Sequence, residues 1–155
     1  MTQYSGPERQ KNTDPQFRNV INVTGSTRAM TTDESGSLVL LNLATGIDIA
    51  LPAIKSADEI GTWYEFVSVL AATSETYTIT AGTADLLLGR VLVHDTDTAN
   101  TIASYAPDGS DDLIITLSDT ADLPGNTVIV TAISATQWLV QGTLFVTGNA
   151  ATPFS

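Results

Sequence analysis

Apolar and polar residues alternate along most of this chain in short runs, each closed by turn residues. In Tyr77-Thr78-Ile79-Thr80, Tyr and Ile share one face and the two Thr share the other, the period of two that marks a half-buried strand. Ten runs read as strands: Phe17 to Val23, Ser37 to Asn42, Ile47 to Leu51, Trp63 to Leu70, Thr76 to Ala81, Leu87 to His94, Thr101 to Tyr105, Leu113 to Ser118, Thr127 to Ile133 and Gln137 to Val146. The segments between them, such as Thr24-Gly25-Ser26, Thr45-Gly46, Ala81-Gly82-Thr83, Pro107-Asp108-Gly109-Ser110 and Leu123-Pro124-Gly125-Asn126, are rich in residues that pre-set or tolerate turn geometry. The one helical signal is Ser56-Ala57-Asp58-Glu59, a capping box in a connection with room for a single turn. Strand-sized pieces about 8–12 residues apart predict an all-β domain, an antiparallel β-sandwich or jelly-roll-like barrel with less than one tenth helix.

Not every run alternates. Trp63 to Leu70, Leu87 to Val93 and Leu113 to Leu117 carry apolar groups on both faces, and one domain of 155 residues offers few strands that its own two layers bury twice. A second apolar face predicts subunit contacts; the alternative is that such strands lie under loops. Thr83-Ala84-Asp85-Leu86 recurs as Thr120-Ala121-Asp122-Leu123, an echo too short for a repeat array and read as two similar turns.

Composition strengthens the β reading. Threonine occurs 24 times and lysine twice, and β-branched, uncharged side chains fit a pleated surface. The charge is uneven. Residues 1–32 hold Arg9, Lys11, Arg18 and Arg28 against Glu8 and Asp14, or +2, whereas residues 33–155 hold Lys55 and Arg90 against 15 carboxylates, or −13. Residues 1–15 lack any period and are read as an extended N-terminal arm. The chain therefore divides into residues 1–32, the arm and first strand, and residues 33–155, the β body.

The same figures exclude function classes. A net charge of −11 repels a phosphate backbone, so nucleic acid is not an expected partner. No apolar run reaches the ~18 residues that span a bilayer, and the start has neither a basic nor an apolar signal region, so no membrane is expected and the protein is read as made in the cytoplasm. There is no Cys, hence no disulfide, thiolate nucleophile or cysteine metal site. The single His, His94, rules out multi-His metal motifs. It ends a strand run beside Asp95 and Asp97 without a strand–turn–helix elbow to present a serine, and it is read as a solvated histidine rather than a catalytic base. Two acidic loops, His94-Asp95-Thr96-Asp97 and Asp108-Gly109-Ser110-Asp111-Asp112, offer hard oxygens suited to calcium but lack the terminal Glu of a complete EF-hand loop; both are read as solvated turns. No phosphate-cradling glycine pattern occurs. No catalytic residue, metal or cofactor is expected. Most of the ten aromatics, Trp63 and Trp138 among them, sit in apolar runs and are read as core or interface.

Two stretches resemble a known family. Ile49-Ala50-Leu51-Pro52-Ala53, Gly61, Tyr64-x-Phe66-Val67, Tyr77-Thr78-Ile79 and Gly89 form the first. The second is the close, Trp138-Leu139-Val140-Gln141-Gly142-Thr143 followed by Thr147-Gly148-Asn149-Ala150-Ala151-Thr152-Pro153-Phe154-Ser155. Together they are similar to the small β-rich decoration, or cement, proteins encoded beside the major capsid protein of tailed bacteriophages, over the chain from about Asp48 onward. The resemblance implies a structural protein that binds the outside of a phage head, commonly as a trimer, with the major capsid protein as partner. Residues 1–32, the arm and first strand, carry no motif of that family; on their composition alone Arg9, Lys11, Phe17 and Arg18 are expected to contact the capsid, and Trp63, Leu88, Val91 and Trp138 are expected to close the trimer. A receptor- or carbohydrate-binding module of a head fibre or tail appendage is the competing reading.

Overall fold

The computed structural model describes residues 18–97, 101–118, 124–147 and 150–155. The strands in chain order are β1 (Val20–Val23), β2 (Thr27–Ala29), β3 (Ser37–Leu41), β4 (Ile47–Ala50), β5 (Trp63–Ser68), β6 (Tyr77–Thr80), β7 (Leu86–Asp95), β8 (Ile102–Tyr105), β9 (Ile114–Ser118), β10 (Thr127–Ser134) and β11 (Gln137–Val146). Helix among the described residues is limited to 3₁₀ turns at Thr32–Glu34 and Ala57–Glu59. The second is the expected capping-box turn, in which the Glu59 carboxylate accepts from the backbone N–H of Ser56 at 3.1 Å and of Lys55 at 2.6 Å.

The strands form a seven-stranded sheet, ordered β1-β3-β5-β10-β11-β7-β8, and a four-stranded sheet, ordered β2-β4-β6-β9. The fold is all-β as the periodicity predicts, with the two sheets facing each other across one core, but the sheets are mixed. Five of the nine strand pairings are parallel and four antiparallel, which corrects the antiparallel expectation. The reason lies in the first six strands, which visit the two sheets alternately, so β1, β3 and β5 stack in parallel in one sheet and β2, β4 and β6 in the other. This half of the chain winds as three flattened coils. A Gly-containing turn ends a strand equally well at a hairpin or at a corner leading to the opposite sheet, and here the corners prevail. Stacked corners leave little room: Gly46, at φ 93°, lies where an added Cβ would come within 2.5 Å of Glu75 Cβ in the next coil. Residues 20–29, grouped with the arm by charge, thus belong to the edges of both sheets of the body.

The second half closes the sandwich. The β10–β11 hairpin pairs antiparallel with β5 and parallel with β7, while β9 crosses to the small sheet beside β6. The free edge of β9 is covered by the chain's own end. Leu113 and Ile114 donate their N–H groups to the Ser155 carbonyl, Thr116 donates to Pro153, and Phe154 is buried. The Thr-Pro-Phe-Ser close is therefore an edge cover, a device that blocks strand addition by another chain.

Inward-facing residues of both sheets meet in a single core that includes Val39, Leu41, Tyr64, Phe66, Val130 and Trp138 from the large sheet and Ile47, Ile49, Tyr77, Ile79, Ile115 and Leu117 from the small one. Tyr64 stacks near Trp138 with ring centres 6.4 Å apart, and its hydroxyl donates to the Thr31 carbonyl at 2.6 Å; burial pushes that phenol's pKa up. Asn126 has no exposed surface and ties three segments: its amide donates to the Leu117 carbonyl at 2.6 Å, its carbonyl accepts from Phe145 N–H at 2.7 Å, and its N–H reaches the Ser68 hydroxyl at 3.0 Å.

Candidate interaction surface

A strand presents alternate residues to opposite faces, so the outward sets of the two sheets follow from the core and the register. On the four-stranded sheet one outward row is Thr27, Asp48, Thr78 and Thr116, with the Thr78 hydroxyl donating to Asp48 at 2.7 Å. The next is Ala29, Ala50, Thr80 and Ile114. These rows carry mostly small side chains, Thr and Ala, with Ile114 the one large apolar group among them.

The outward face of the seven-stranded sheet is different. One row runs Trp63, Thr131, Leu139, Leu88 across β5, β10, β11 and β7. A second runs Val20, Leu38, Glu65, Ile129, Gln141, Arg90, and a third Asn22, Leu40, Val67, Thr127, Thr143, Leu92, Ser104. None of these side chains is buried, and Val20, Leu92 and the neighbouring Ile102 and Ile133 are exposed outright, Ile102 at 62%. Here the second apolar face of β5 and β7 is open to solvent rather than lying beneath loops among the described residues. Nine of the seventeen side chains in these rows are apolar, interleaved with polar ones and mostly half-buried; a cluster of large, partly exposed apolar side chains is a usual mark of a contact with another macromolecule.

Within this face, β11 is pinched against both of its neighbours, β7 and β10. A Cβ on Gly89, at φ 116°, would lie 2.1 Å from the Val140 carbonyl oxygen, and one on Gly142 would lie 2.6 Å from that of Thr127. Both glycines, with Arg90, Leu92, Leu139 and Gln141, line a shallow groove. Charge on the face is sparse. Arg18 pairs with Glu65 through Oε2 and lies over the Trp63 ring, 5.4 Å from its centre. Arg90 makes no ion pair with any described residue.

Of the residues expected to close a trimer, Trp63 and Leu88 lie on this face in the same row. Val91 and Trp138 do not: both have no exposed surface and point into the core, where the Trp138 indole N–H donates to Asp85 at 3.3 Å. Two-sided runs hide which parity faces in, and core packing put Val91 and Trp138 inside. Arg9, Lys11 and Phe17, expected to bind a capsid, lie outside the described residues, and Arg18 is already engaged with Glu65 and Trp63. Ile129 and Leu139 were legible only in part, because Thr127 to Val130 and Trp138 to Val140 are also two-sided runs; the significance of Arg90 emerges only from the register.

The chemistry-bearing residues are occupied locally. His94 packs on Phe145 with ring centres 5.2 Å apart on the outward face, whereas Asp95 points inward and accepts from Asp97 N–H at 2.9 Å. Asp108, Asp111 and Asp112 bring carboxylate oxygens within 4.8 Å of one another. The Asp108 carboxylate accepts from Ser110 N–H and hydroxyl, both at 2.8 Å, and the Ser110 backbone bond above all holds its pKa down to about 2. Asp112 accepts from Asp108 N–H at 2.6 Å. These acids cap their own turn. No described helix is long and apolar enough to cross a membrane. Comparison with protein-family models gives no match for this chain, and comparison with curated proteins gives none either.

Proposed function

We propose that this chain is a structural virion protein, a cement or decoration protein that binds the outer surface of a phage head as a homotrimer, with the major capsid protein as its partner and no catalytic role. The observation that carries this reading is the contrast between the two sheet faces on a chain of net charge −11: the broad face sets large apolar side chains, Trp63, Leu88, Val67 and Leu92 among them, in every row between polar ones, whereas the rows of the narrow face carry mostly Thr and Ala, with Ile114 as their one large apolar side chain. Large exposed apolar patches are uncommon on monomers, and a surface protein that assembles with copies of itself on a shell buries them. The resemblance of the stretch from Ile49-Ala50-Leu51-Pro52-Ala53 to Gly89 and of the close from Trp138 to Ser155 supports the same reading. With Arg18 bound to the body, Arg9 and Lys11 are the arm's cations for an acidic capsid surface.

The experiment is a titration of purified protein onto heads that lack it, counting copies per shell. Saturation at a symmetry-related number is expected. Absence of head binding, with binding to host cells or glycans instead, overturns the reading in favour of an adhesion module. Removal of residues 1–15 is expected to leave the fold intact and weaken attachment, with the difference from full-length protein shrinking at ~1 M salt, where the Debye length is about 3 Å.

A further inference from the structure

The three outward rows of the seven-stranded sheet also define how a second copy of the chain fits against it. In each row β5 and β7 stand on opposite sides of the β10–β11 centre: Trp63 is matched by Leu88, Glu65 by Arg90 and Val67 by Leu92. A rotation axis parallel to these strands keeps every row at its own height while bringing the β7 side of one copy against the β5 side of another. Apolar then meets apolar, Leu88 on Trp63 and Leu92 on Val67, and between them a guanidinium meets a carboxylate. Two-fold and three-fold axes share this property.

Charge selects the same arrangement. The chain is strongly acidic, so most of its surface repels a copy of itself. This face carries Glu65 against Arg18 and Arg90. One Glu65 oxygen, Oε2, is held by Arg18 within the chain, and Oε1 accepts no bond from a described residue, which leaves it open to a second arginine. Arg90, unpaired among the described residues and set beside the Gly89 and Gly142 groove, is that arginine.

We infer that the outer face of the seven-stranded sheet is a self-association surface, filled by a second copy of this chain docked in row register, with Arg90 of one copy paired to Glu65 of the next. This inference rests on the homo-oligomer part of the proposed function and is independent of capsid attachment.

The absence of Cys makes a clean test available in the full-length protein. In the Val67→Cys/Leu92→Cys double variant the two thiols of one copy lie three strands apart, about 14 Å at ~4.8 Å per strand, beyond the ~7 Å between Cα atoms that a disulfide tolerates. Oxidation is therefore expected to yield covalent oligomers that end at a closed ring, while each single variant yields no such ladder and the reduced double variant melts like the parent. Independently, Arg90→Glu is expected to weaken association in sedimentation by on the order of 10²-fold, since like charges then face each other, and adding Glu65→Lys is expected to recover most of it. A parent protein that sediments as a monomer at all concentrations overturns both the homo-oligomer reading and this one. A parent oligomer in which the double variant stays uncross-linked and Arg90→Glu changes nothing overturns this face alone.

Discussion

Single side chains hold the two halves of this molecule together where the backbone ladders cannot. Asn126 joins the turn before β10 to β5, β9 and β11, and because it has no exposed surface no water replaces its bonds. Asn126→Ala leaves the Leu117 carbonyl and Phe145 N–H without their partner, each costing about 1–3 kcal/mol. The expected loss of about 3 kcal/mol lowers the thermal midpoint by roughly 6–12 °C for a domain of this size, as a calorimetric comparison will show. Asp108 acts on a smaller scale and only through pH. Its folded pKa lies near 2, below the ordinary 3.8, so its contribution is present above pH ~4 and fades as pH falls through the folded value. In an NMR titration the Ser110 amide is expected to shift with a midpoint near 2 in the parent and to lose that transition in Asp108→Asn.

At the level of elements, glycines decide how closely strands approach. Gly89→Ala is expected to cost about 3 kcal/mol or more, because a Cβ there collides with the β11 backbone and the φ is left-handed as well. Gly61 has a similar φ, 96°, but nothing within 4 Å of the added atom, so Gly61→Ala is expected to cost only about 1 kcal/mol. Denaturant unfolding of the two variants side by side measures the contact separately from the conformational strain. The C-terminal edge cover is a second such device. Deleting Pro153, Phe154 and Ser155 removes a buried Phe ring, worth about 3 kcal/mol, and bares the β9 edge. Lower stability with concentration-dependent aggregation is expected in light scattering.

The whole molecule is a sandwich with two unlike outer faces, and this predicts two contacts with unlike salt dependence. The proposed self-association across the large sheet places Trp63, Leu88, Val67 and Leu92 around one ion pair, so sedimentation at ~0.1 M and ~1 M salt is expected to give association constants within a few-fold of each other, since screening reaches only the Arg90–Glu65 part. Attachment through the arm is expected to weaken over the same range. Parallel loss of both at high salt contradicts this division of labour.

The sequence by itself determined the all-β class, the positions of ten of the eleven strands, the capping-box turn and the existence of a second apolar face on β5 and β7. These are local properties: period, β-branching and turn chemistry act within a few residues of one another. Among the described residues only β2 escaped, because Thr27-Arg28-Ala29 is three residues long without an apolar alternation, and pairing to β4 rather than its own pattern makes it a strand. The tertiary structure decided everything that depends on which strand lies beside which. Parallel coils and hairpins use the same turn residues, so the mixed topology was not legible. Parity in a two-sided strand is set by the partner sheet, so the sequence alone did not separate Val91 and Trp138, which are core, from Leu88 and Trp63, which are surface. The alignment of Glu65 with Arg90 links residues 25 positions apart through two intervening strands, and only the folded register brings that row into being.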